Sequence, residues 1–271
     1  MTEHLENATH VASALERYAY EYKQNVDAPY FLRSRRIVID YILHQLKANS
    51  RVLDINCGTG IDVVEIARHG HKVKGVDISS AMISFAMENI AKAGLNSIAQ
   101  AEVCDYRELP IPAVPFDAVL SNFGGINFAE NVEPVFSSID RNLKDGGILV
   151  VNSVSHFSLM ETLIFLSSGK FSKAFRRLSR GKARIGGKWV QLSYHRRRGL
   201  AKAGAHLGYE LVDLFGINIF APPLWADDFF RSHESIALRL EALDDKIRRF
   251  PLLRTMGDFM VAVFRKGNVS Q

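Results

Sequence analysis

Hydrophobic and polar positions follow two different periods along the chain, and the change comes near residue 51. Before it, apolar residues recur at helical spacing, as Ile37 and Tyr41 do in RRIVIDYILHQL, which predicts helices ahead of the first strand. From Arg51 onwards, short β-rich runs alternate with helical segments. The predicted strands are RVLDI, HKVKGVDI, SIAQAEVC, FDAVLSNF and GGILVVNSV. This alternation predicts βαβ units, a parallel sheet and right-handed crossovers.

The intervening helical segments end at glycines suited to helix C-caps: GIDVVEIARHG, SSAMISFAMENIAKAG and NVEPVFSSIDRNLKDG. After Ser153 the regularity stops until YELVDLFGINIF, and the interval is too long for a simple loop. A helical stretch, DDFFRSHESIALRLEALDDKIRRF, and a strand, FMVAVFRK, then close the chain. The predicted organisation is a helical lid (1–50), a ligand-binding core (51–154), a cap insertion (155–205) and a C-terminal completion of the sheet (206–271).

Composition limits the class of protein. The 271 residues, 47% of them hydrophobic, can bury one large core or a core with a cap. No apolar run approaches the roughly 20 residues of a membrane span, and MTEHLENATH lacks the signal-peptide pattern. Cys57 and Cys104 have no CxxC or His-rich neighbourhood, so neither a disulfide framework nor a metal site is predicted. A cytoplasmic location follows as the expectation.

Positive charge is concentrated in one block. Between Thr162 and Tyr209 there are twelve Lys or Arg residues and no Asp or Glu, so the rest carries 22 basic and 29 acidic residues, or −7. Such a block attracts anions, which leaves several interpretations open: a solvated surface, a site for an anionic small molecule or carrier protein, or contact with an anionic membrane. In FSKAFRRL, Phe171 and Phe175 are spaced to press on a bilayer or on the core. No RNA-binding module accompanies the block, so nucleic acid is not favoured.

A glycine turn joins the first strand to the first helix of the sheet. In RVLDINCGTGIDVVEIA, Gly58 and Gly60 let a ligand approach the main chain and a helix N-terminus. The third glycine of a dinucleotide fingerprint is replaced by Val63, and the Lys-Ser/Thr pair of a P-loop is absent. Both phosphate-binding interpretations are therefore weakened.

Acidic residues stand at the ends of three successive predicted strands, where parallel strands share one sheet edge. Asp54 would repel a phosphate and suits an ammonium group. Asp77 can accept hydrogen bonds from a ribose diol, and Asp105 can accept one from an adenine amine. The row predicts a cationic adenosine ligand. Structural interpretations remain open: turn stabilisation for Asp54, helix capping for Asp77 and a surface turn for Asp105.

These motifs resemble those of class I S-adenosylmethionine-dependent methyltransferases. VLDINCGTG is similar to the family's VLDxGCGxG, and the resemblance continues through GVDIS, CDY, FDAVLSNFGGINF and GGILVVNSV. It implies a doubly wound, seven-stranded, mostly parallel Rossmann-like sheet of order 3-2-1-4-5-7-6 with an antiparallel last strand. It also implies S-adenosylmethionine as cofactor, S-adenosylhomocysteine as product and, from RSRRIVIDYIL, a bacterial small-molecule acceptor. Asn56 departs from the family's usual Gly and should bond to, or point away from, the methionine moiety.

The resemblance also implies a set of cofactor-binding positions. An Arg one helix before the first strand should grip the methionine carboxylate, for which Arg36 is selected with Arg33 as its rival. The aromatic segment around Tyr22 should close over the cofactor. The predicted cofactor-binding residues are Tyr22, Arg36, Asp54, Asn56, Cys57, Gly58, Gly60, Asp77, Ile78, Asp105, Tyr106, Ser121, Asn122 and Phe123.

Three residues are predicted to take part in catalysis. His156, just beyond the fifth strand, is the candidate general base and His195 is the alternative, while a carbon nucleophile or a neutral amine would need no base. Asn122 could orient an amine, although the Asn-Pro-Pro-Tyr signature of nucleobase and glutamine methylation is absent. A non-catalytic, cofactor-dependent binding module and an RNA or protein methyltransferase stay as alternatives. The acceptor atom and the oligomeric state are not specified by the sequence.

Overall fold

A computed structural model describes residues 2–25, 28–178, 181–226 and 232–268. The strands are β1 (Arg51–Asp54), β2 (Lys72–Asp77), β3 (Ala99–Val103), β4 (Phe116–Ser121), β5 (Leu143–Val154), β6 (Gly181–Ile185), β7 (Lys188–Leu192), β8 (Tyr209–Ile217) and β9 (Phe259–Lys266). The α-helices are α1 (Thr2–Asn25), α2 (Pro29–Gln45), α3 (Ile61–Arg68), α4 (Ser80–Lys92), α5 (Glu133–Asp140), α6 (Leu159–Ser167), α7 (Phe171–Ala174), α8 (Arg197–Ala205) and α9 (Glu234–Ile247). Short 3₁₀ turns cover Tyr106–Glu108, Gly125–Phe128 and Arg176–Leu178.

Seven strands form one sheet in the order β3-β2-β1-β4-β5-β9-β8. The first five strands are parallel, and β9 runs antiparallel to both β5 and β8. Because β6 and β7 pair only with each other, β8 and β9 are the sixth and seventh strands of the large sheet. The predicted fold class and strand order are therefore confirmed.

Two hydrophobic layers cover the faces of this sheet. On one face, α2 and α3 bury Ile42 and Ile66 against the strands, and on the other α5 and α8 bury Ile139 and Leu200. The central strands are apolar on both faces, as expected for parallel strands between two helical layers. The carboxyl ends of β1, β2 and β4 consequently open onto the one edge of the sheet that is left for a ligand.

Three predicted boundaries are corrected. The helix predicted over NVEPVFSSIDRNLKDG ends at Asp140, since β5 already begins at Leu143. The predicted cap reached residue 205, but Leu200 of α8 lies in the core beside Phe264. The last helix begins at Glu234, and residues 227–231 of its predicted start lie outside the described part of the chain.

The cap, defined here as residues 159–192, consists of α6, α7, a 3₁₀ turn and the β6–β7 hairpin. The hairpin turns at Gly186-Gly187, both with positive φ, as two-residue hairpins require. A side chain at Gly186 would overlap the backbone of Ala14 in α1, so the glycine permits close packing of hairpin and helix. Val190 is buried there against Val11 and Ala14. No helix of the described residues is long and apolar enough to cross a membrane.

Candidate active site

A cavity of about 330 Å³ lies at the carboxyl edge of the parallel strands. Its floor is the glycine turn after β1, and its walls come from α1, α2, the segment after β4 and the β6–β7 hairpin. Predicted cofactor residues that line it are Tyr22, Asn56, Cys57, Gly58, Asp77, Ile78, Asp105, Tyr106, Asn122 and Phe123. The rest of the lining is mostly apolar and includes Val11, Leu15, Phe128, Ile185 and Leu192, with Arg184 of the hairpin as a charged member.

Buried carboxylates give the floor of the cavity a negative character. Asp54, Asp62 and Asp77 are each less than a tenth exposed. Burial raises the pKa of Asp54 well above its usual value, and the neighbouring charge of Asp62 raises it further. Oδ2 of Asp54 and Oδ1 of Asp62 have no hydrogen-bond partner among the described residues. Unsatisfied buried acceptors are costly, so this arrangement suits a ligand that supplies donors or positive charge.

Arg35 is the buried cation of this cluster. Its Nη1 lies 2.5 Å from Oδ2 of Asp62, and its Nη2 donates to the hydroxyl of Tyr22 at 2.8 Å. Its guanidinium carbon also lies 4.5 Å from the ring centre of Phe123. Burial alone would lower the pKa of Arg35, but the negative charge of Asp62 has a larger opposite effect. The pKa of Arg35 is therefore raised, and the guanidinium stays charged. The Nε–H of Arg35 has no partner among the described residues.

Arg35, and not the predicted Arg36, lines the cavity. The side chain of Arg36 is 79% exposed and pairs with Asp40, one turn further along α2. The rival Arg33 pairs with Glu241 of α9 and does not line the cavity either. Adjacent helical residues point about 100° apart, so one position decides which arginine faces the cavity.

Asp77 ties the glycine turn to the start of α4. Its Oδ2 accepts from the backbone N–H of Gly58 at 3.0 Å, and its Oδ1 accepts from that of Ser79 at 2.9 Å. Burial raises the pKa of Asp77 to about 6, and these two bonds oppose the rise. Ser79 itself is the N-cap of α4, which corrects the capping role considered for Asp77.

Asn56, the departure from the family motif, bonds across to β4. Its Nδ2 donates to the carbonyl of Asn122 at 2.8 Å, and its Oδ1 accepts from the hydroxyl of Ser121 at 2.6 Å. A side chain at Gly125 would overlap that of Asn56. Asn56 therefore fastens the glycine turn to the segment after β4, and Gly125 leaves room for it.

We expect Gly125→Ala to lower the free energy of unfolding by about 1–3 kcal/mol, because the new methyl group overpacks the site of Asn56. Gly199→Ala is the matched control, since nothing lies within 4 Å of a Cβ at that helical position. Urea denaturation of both variants measures the difference. Asn56→Gly combined with Gly125→Ala should recover part of the loss, and no recovery would contradict the proposed overlap.

Asn122 lines the cavity, but its amide group is fully engaged inside the protein. Its Nδ2 donates to Asp62 at 3.0 Å, and its Oδ1 accepts from Asn152 at 2.7 Å and from the backbone N–H of Phe123 at 2.9 Å. The predicted role of orienting an acceptor amine is therefore not supported. Asn122 instead fixes the segment that carries Phe123, whose φ of 52° is rare for a non-glycine residue.

Asp105 is also engaged, in this case by its neighbour. Both of its carboxylate oxygens accept from the Nε of Arg107, at 2.9 and 3.1 Å, and Oδ1 accepts from the backbone N–H of Arg107. These bonds fit the turn interpretation of Asp105, which also lines the cavity. The contact of Asp105 with adenine stays a prediction. In that contact, the adenine amine and Arg107 would both bond to the same carboxylate.

Several predicted residues support the cavity without lining it. Asp54 and Ser121 lie beneath it, and Gly60 faces α4, where a side chain would meet Ala86 at 2.8 Å. Gly60 therefore serves helix packing and a positive φ of 78° rather than ligand approach. Gly58 lines the cavity, and a Cβ there would have only ordinary contacts.

Neither predicted histidine faces this cavity. His156 and His195 line a separate, polar cavity together with Tyr194 and Arg196. Nε2 of His195 lies 3.2 Å from the carbonyl oxygen of Ile126, within hydrogen-bond distance. Burial lowers the pKa of both histidines, and Arg196 adds to the effect on His156. His156 and His195 thus lie outside the main cavity, and their assignment as general bases stays a prediction.

Sequence reasoning missed three parts of the site: Asp62, Phe31 and the β6–β7 hairpin. Asp62 is the second residue of α3 and was indistinguishable in the sequence from a solvent-exposed helical residue. Phe31 stacks on Phe123 with ring centres 4.4 Å apart, a contact that only the packing of α2 creates. The hairpin did have a signal, because Gly186-Gly187 separates two short alternating runs.

Comparison with known proteins identifies the family. The sequence profile described as "Methyltransferase domain" matches residues 46–192, more than half of the chain. The chain belongs to the methyltransferase-domain family. The predicted resemblance to a methyltransferase family is confirmed.

Two individual relatives each match less than half of the chain. The putative methyltransferase YqeM of Bacillus subtilis strain 168 is 32% identical over 45% of the chain and 49% of YqeM. A demethylmenaquinone methyltransferase of Tropheryma whipplei strain Twist is 38% identical over 40% of the chain and 44% of that enzyme. The matched region thus spans about half the length of these relatives.

A solved structure matches nearly the whole methyltransferase domain. The geranyl diphosphate C-methyltransferase of Streptomyces coelicolor A3(2), with S-adenosylhomocysteine bound, superposes with a TM-score of 0.58. The superposition covers 91% of this chain and 84% of the Streptomyces enzyme, at 17% sequence identity. This likeness shows the fold. No cluster of three or more His, Cys, Asp or Glu residues suited to a metal ion occurs among the described residues.

Proposed function

We propose that this chain transfers a methyl group from S-adenosylmethionine to a small, largely apolar acceptor. One observation carries the proposal: a single cavity is lined both by Asp62, a buried carboxylate with an unsatisfied oxygen, and by a group of apolar side chains from α1, the Gly125–Phe128 turn and the hairpin. The carboxylate suits a cationic cofactor, and the apolar group suits a lipophilic acceptor. Membership of the methyltransferase-domain family supports the cofactor.

The unsatisfied atoms fit the amino-acid end of the cofactor. An α-ammonium group supplies the donor that Oδ1 of Asp62, which lines the cavity, lacks. An α-carboxylate supplies the acceptor that Nε of Arg35 lacks. In this proposal Asp77 holds the ribose hydroxyls, and residues around Tyr106 enclose the adenine. When bound, S-adenosylmethionine supplies an electrophilic methyl group on a cationic sulfur.

The protein's contribution is alignment and exclusion of water. Orienting two reactants in an enclosed site can contribute about 7–11 kcal/mol to the barrier reduction. Here α1 and the β6–β7 hairpin line the cavity together with the glycine turn. No histidine lines the cavity within the described residues, so we infer an acceptor, such as a carbon nucleophile, that needs no histidine base.

The apolar part of the lining favours a lipophilic acceptor over a sugar or a nucleotide. Val11, Leu15, Phe128, Ile185 and Leu192 offer no hydrogen-bonding side-chain atom, and polar groups buried against them would lose free energy. The Tropheryma relative named above acts on demethylmenaquinone, which supports an acceptor of quinone or isoprenoid type. A non-catalytic binding module is the alternative. The residues proposed to hold the cofactor would be needed both for methyl transfer and for cofactor-dependent binding without catalysis.

Cofactor binding should weaken in acid because of Asp77. A carboxylate accepts both ribose hydroxyls, whereas its protonated form loses an acceptor, so affinity should fall about tenfold per pH unit below the pKa near 6. Asp77→Ala should weaken binding at pH 7 by about 1–3 kcal/mol and flatten this dependence. Calorimetric titration of S-adenosylhomocysteine between pH 5 and 8 tests both. Unchanged affinity below pH 6 would remove Asp77 from the ribose site.

The proposed reaction is tested by product formation. The purified protein with S-adenosylmethionine should release S-adenosylhomocysteine when given the organic-solvent extract of cells, and much less with the aqueous extract. Release with the aqueous extract alone would overturn the lipophilic acceptor. Tight cofactor binding with no turnover in any fraction would favour the binding module.

A further inference from the structure

The cap displays basic and large apolar side chains together on its outer surface. In the interval 163–189, five large hydrophobic residues are exposed, and the two most exposed are Phe171 (66%) and Trp189 (65%). Single exposed hydrophobic residues are ordinary on protein surfaces. Here they are grouped within 27 residues, interspersed with Lys and Arg, in a segment that contains no acidic residue.

The β6–β7 hairpin has two faces of different character. Arg184 and Trp189 are directly opposite in the antiparallel pair and therefore share a face, as do Lys182 and Gln191. Arg184, Trp189 and Lys182 are exposed on this outer face. The inner face packs Val190 against α1. The outer face therefore presents an exposed indole on the same side of the hairpin as two exposed cations.

A second group lies next to the hairpin in the chain. Phe171, Lys173 and Phe175 are exposed on α7 and the turn that follows it. Leu178 and Gly181 are three residues apart, so at most about 11 Å separates the end of this group from the start of β6. Within the described residues, no carboxylate pairs with Lys173, Lys182 or Arg184. We name Phe171, Lys173, Phe175, Lys182, Arg184 and Trp189 the basic–aromatic surface.

We propose that the basic–aromatic surface docks this protein onto the headgroup region of an anionic lipid bilayer. Lys and Arg near such a surface are attracted by anionic lipids, and Trp is enriched at the membrane–water interface. Phe171 and Phe175 supply apolar groups that reach the acyl boundary. A nucleic acid or an acidic protein would use the cations but would leave exposed aliphatic residues such as Leu163 without a partner.

The surface is presented on a fixed support. Arg177 joins Glu161 of α6 to Asp258 beside β9, and the hairpin packs on α1. Docking would bring the hairpin to the bilayer, and Arg184 and Ile185 of that hairpin also line the main cavity. A lipophilic acceptor could then pass from the bilayer towards the cavity. This last consequence rests on the proposed function, whereas docking itself does not.

The test measures partition of the full chain between buffer and vesicles. Vesicles of phosphatidylcholine mixed with phosphatidylglycerol should bind the protein at low ionic strength, and vesicles of phosphatidylcholine alone should bind it far less. Lys182→Glu combined with Arg184→Glu should lower partition to anionic vesicles at least about twentyfold. Each basic side chain lost should lower it about fivefold, and the two factors multiply. Lys47→Glu with Arg141→Glu is the control, because these exposed residues lie outside the cap and change the net charge equally.

Tryptophan fluorescence separates insertion from simple charge attraction. The chain has two Trp residues, so a Trp225→Phe variant reports Trp189 alone. Its emission should shift to shorter wavelength with anionic vesicles. Trp189→Ser should weaken partition, and Ile111→Ser, which changes an equally exposed residue outside the cap, should not.

Two results would overturn the proposal. One is equal partition of the Lys182/Arg184 variant and its charge-matched control. The other is an unshifted Trp189 emission together with equally tight binding of a short RNA or a polyglutamate peptide, which would make the surface a general polyanion site.

Discussion

Arg35→Met should lower the free energy of unfolding by about 3–5 kcal/mol, the usual cost of removing one partner from a buried ion pair. Arg35 is 6% exposed and faces Asp62, with Asp54 close by. Without the guanidinium, these carboxylates remain buried with no cation, and each must bind a proton or draw in water. Denaturant titration near pH 7 measures the loss.

The neighbouring Arg36→Met variant is the matched control for Arg35. Its side chain is largely solvated and its pair with Asp40 spans 3.6 Å, so the expected change is within about 0.5 kcal/mol. Arg35→Met combined with Asp62→Asn should recover part of the lost stability, because the unpaired charge is removed. Equal stability of the two single variants would mean that Arg35 does not compensate the buried carboxylates.

The same pair of variants tests the cofactor assignment. If Arg35 holds the methionine carboxylate, its Met variant should bind S-adenosylhomocysteine at least about tenfold more weakly, the factor that corresponds to 1.4 kcal/mol. Arg36→Met should bind as the unmodified protein does. Weakened binding in Arg36→Met alone would restore the original prediction.

Arg177→Met should produce the second large effect, by releasing the cap from the core. Arg177 donates to both oxygens of Glu161, at 2.9 and 2.7 Å, and its Nη2 lies 2.6 Å from Oδ1 of Asp258. All three side chains are less than a tenth exposed. Because two buried carboxylates lose a shared cation, we expect about 3–5 kcal/mol of destabilisation.

Arg176→Met is the control for Arg177. It also bonds Glu161, but its side chain is 46% exposed, so the expected loss is at most about 1 kcal/mol. Amide hydrogen exchange should show faster exchange in α6 for Arg177→Met than for Arg176→Met. Equal exchange in the two variants would show that Arg177 does not hold the cap.

Glu161 should make the stability of the cap fall in acid. Burial alone would raise the pKa of Glu161, but the hydrogen bonds from Arg176 and Arg177 outweigh it and lower the value to about 2. The stabilisation from Glu161 is therefore complete above its unfolded-state pKa, near 4.3, and is lost as pH falls towards 2. Arg177→Met should diminish this acid-induced loss.

Much of the fold was predictable from the sequence, for a local reason. The order of strands and helices follows from hydrophobic periods within each segment, and a βαβ chain with right-handed crossovers has few ways to arrange them. Asp54, Asp77 and Asp105 were placed at the sheet edge on the same basis, because each stands at or near the carboxyl end of a strand. The resemblance to the methyltransferase family then supplied the strand order.

Residues outside this repeating pattern were not placed correctly. Arg36 was selected in place of Arg35 because helical spacing in α2 does not show which face meets the cavity. His156 was expected beside the cavity from its position after β5, but the chain turns away there towards the cap. The segment 159–192 carries little periodic signal, and its hairpin depends on packing against α1.

The sequence by itself predicted the strands of the sheet, the glycine turn and the row of strand-end aspartates, since these follow from periodicity and motifs within short segments. Only the tertiary structure decided which cation meets the buried carboxylates, where Asn56 bonds and which surfaces the cap exposes. These features join residues far apart in the chain, as Asn56 joins Asn122 and Arg177 joins Asp258. Their geometry is set by the packing of whole helices and strands, which no local pattern records.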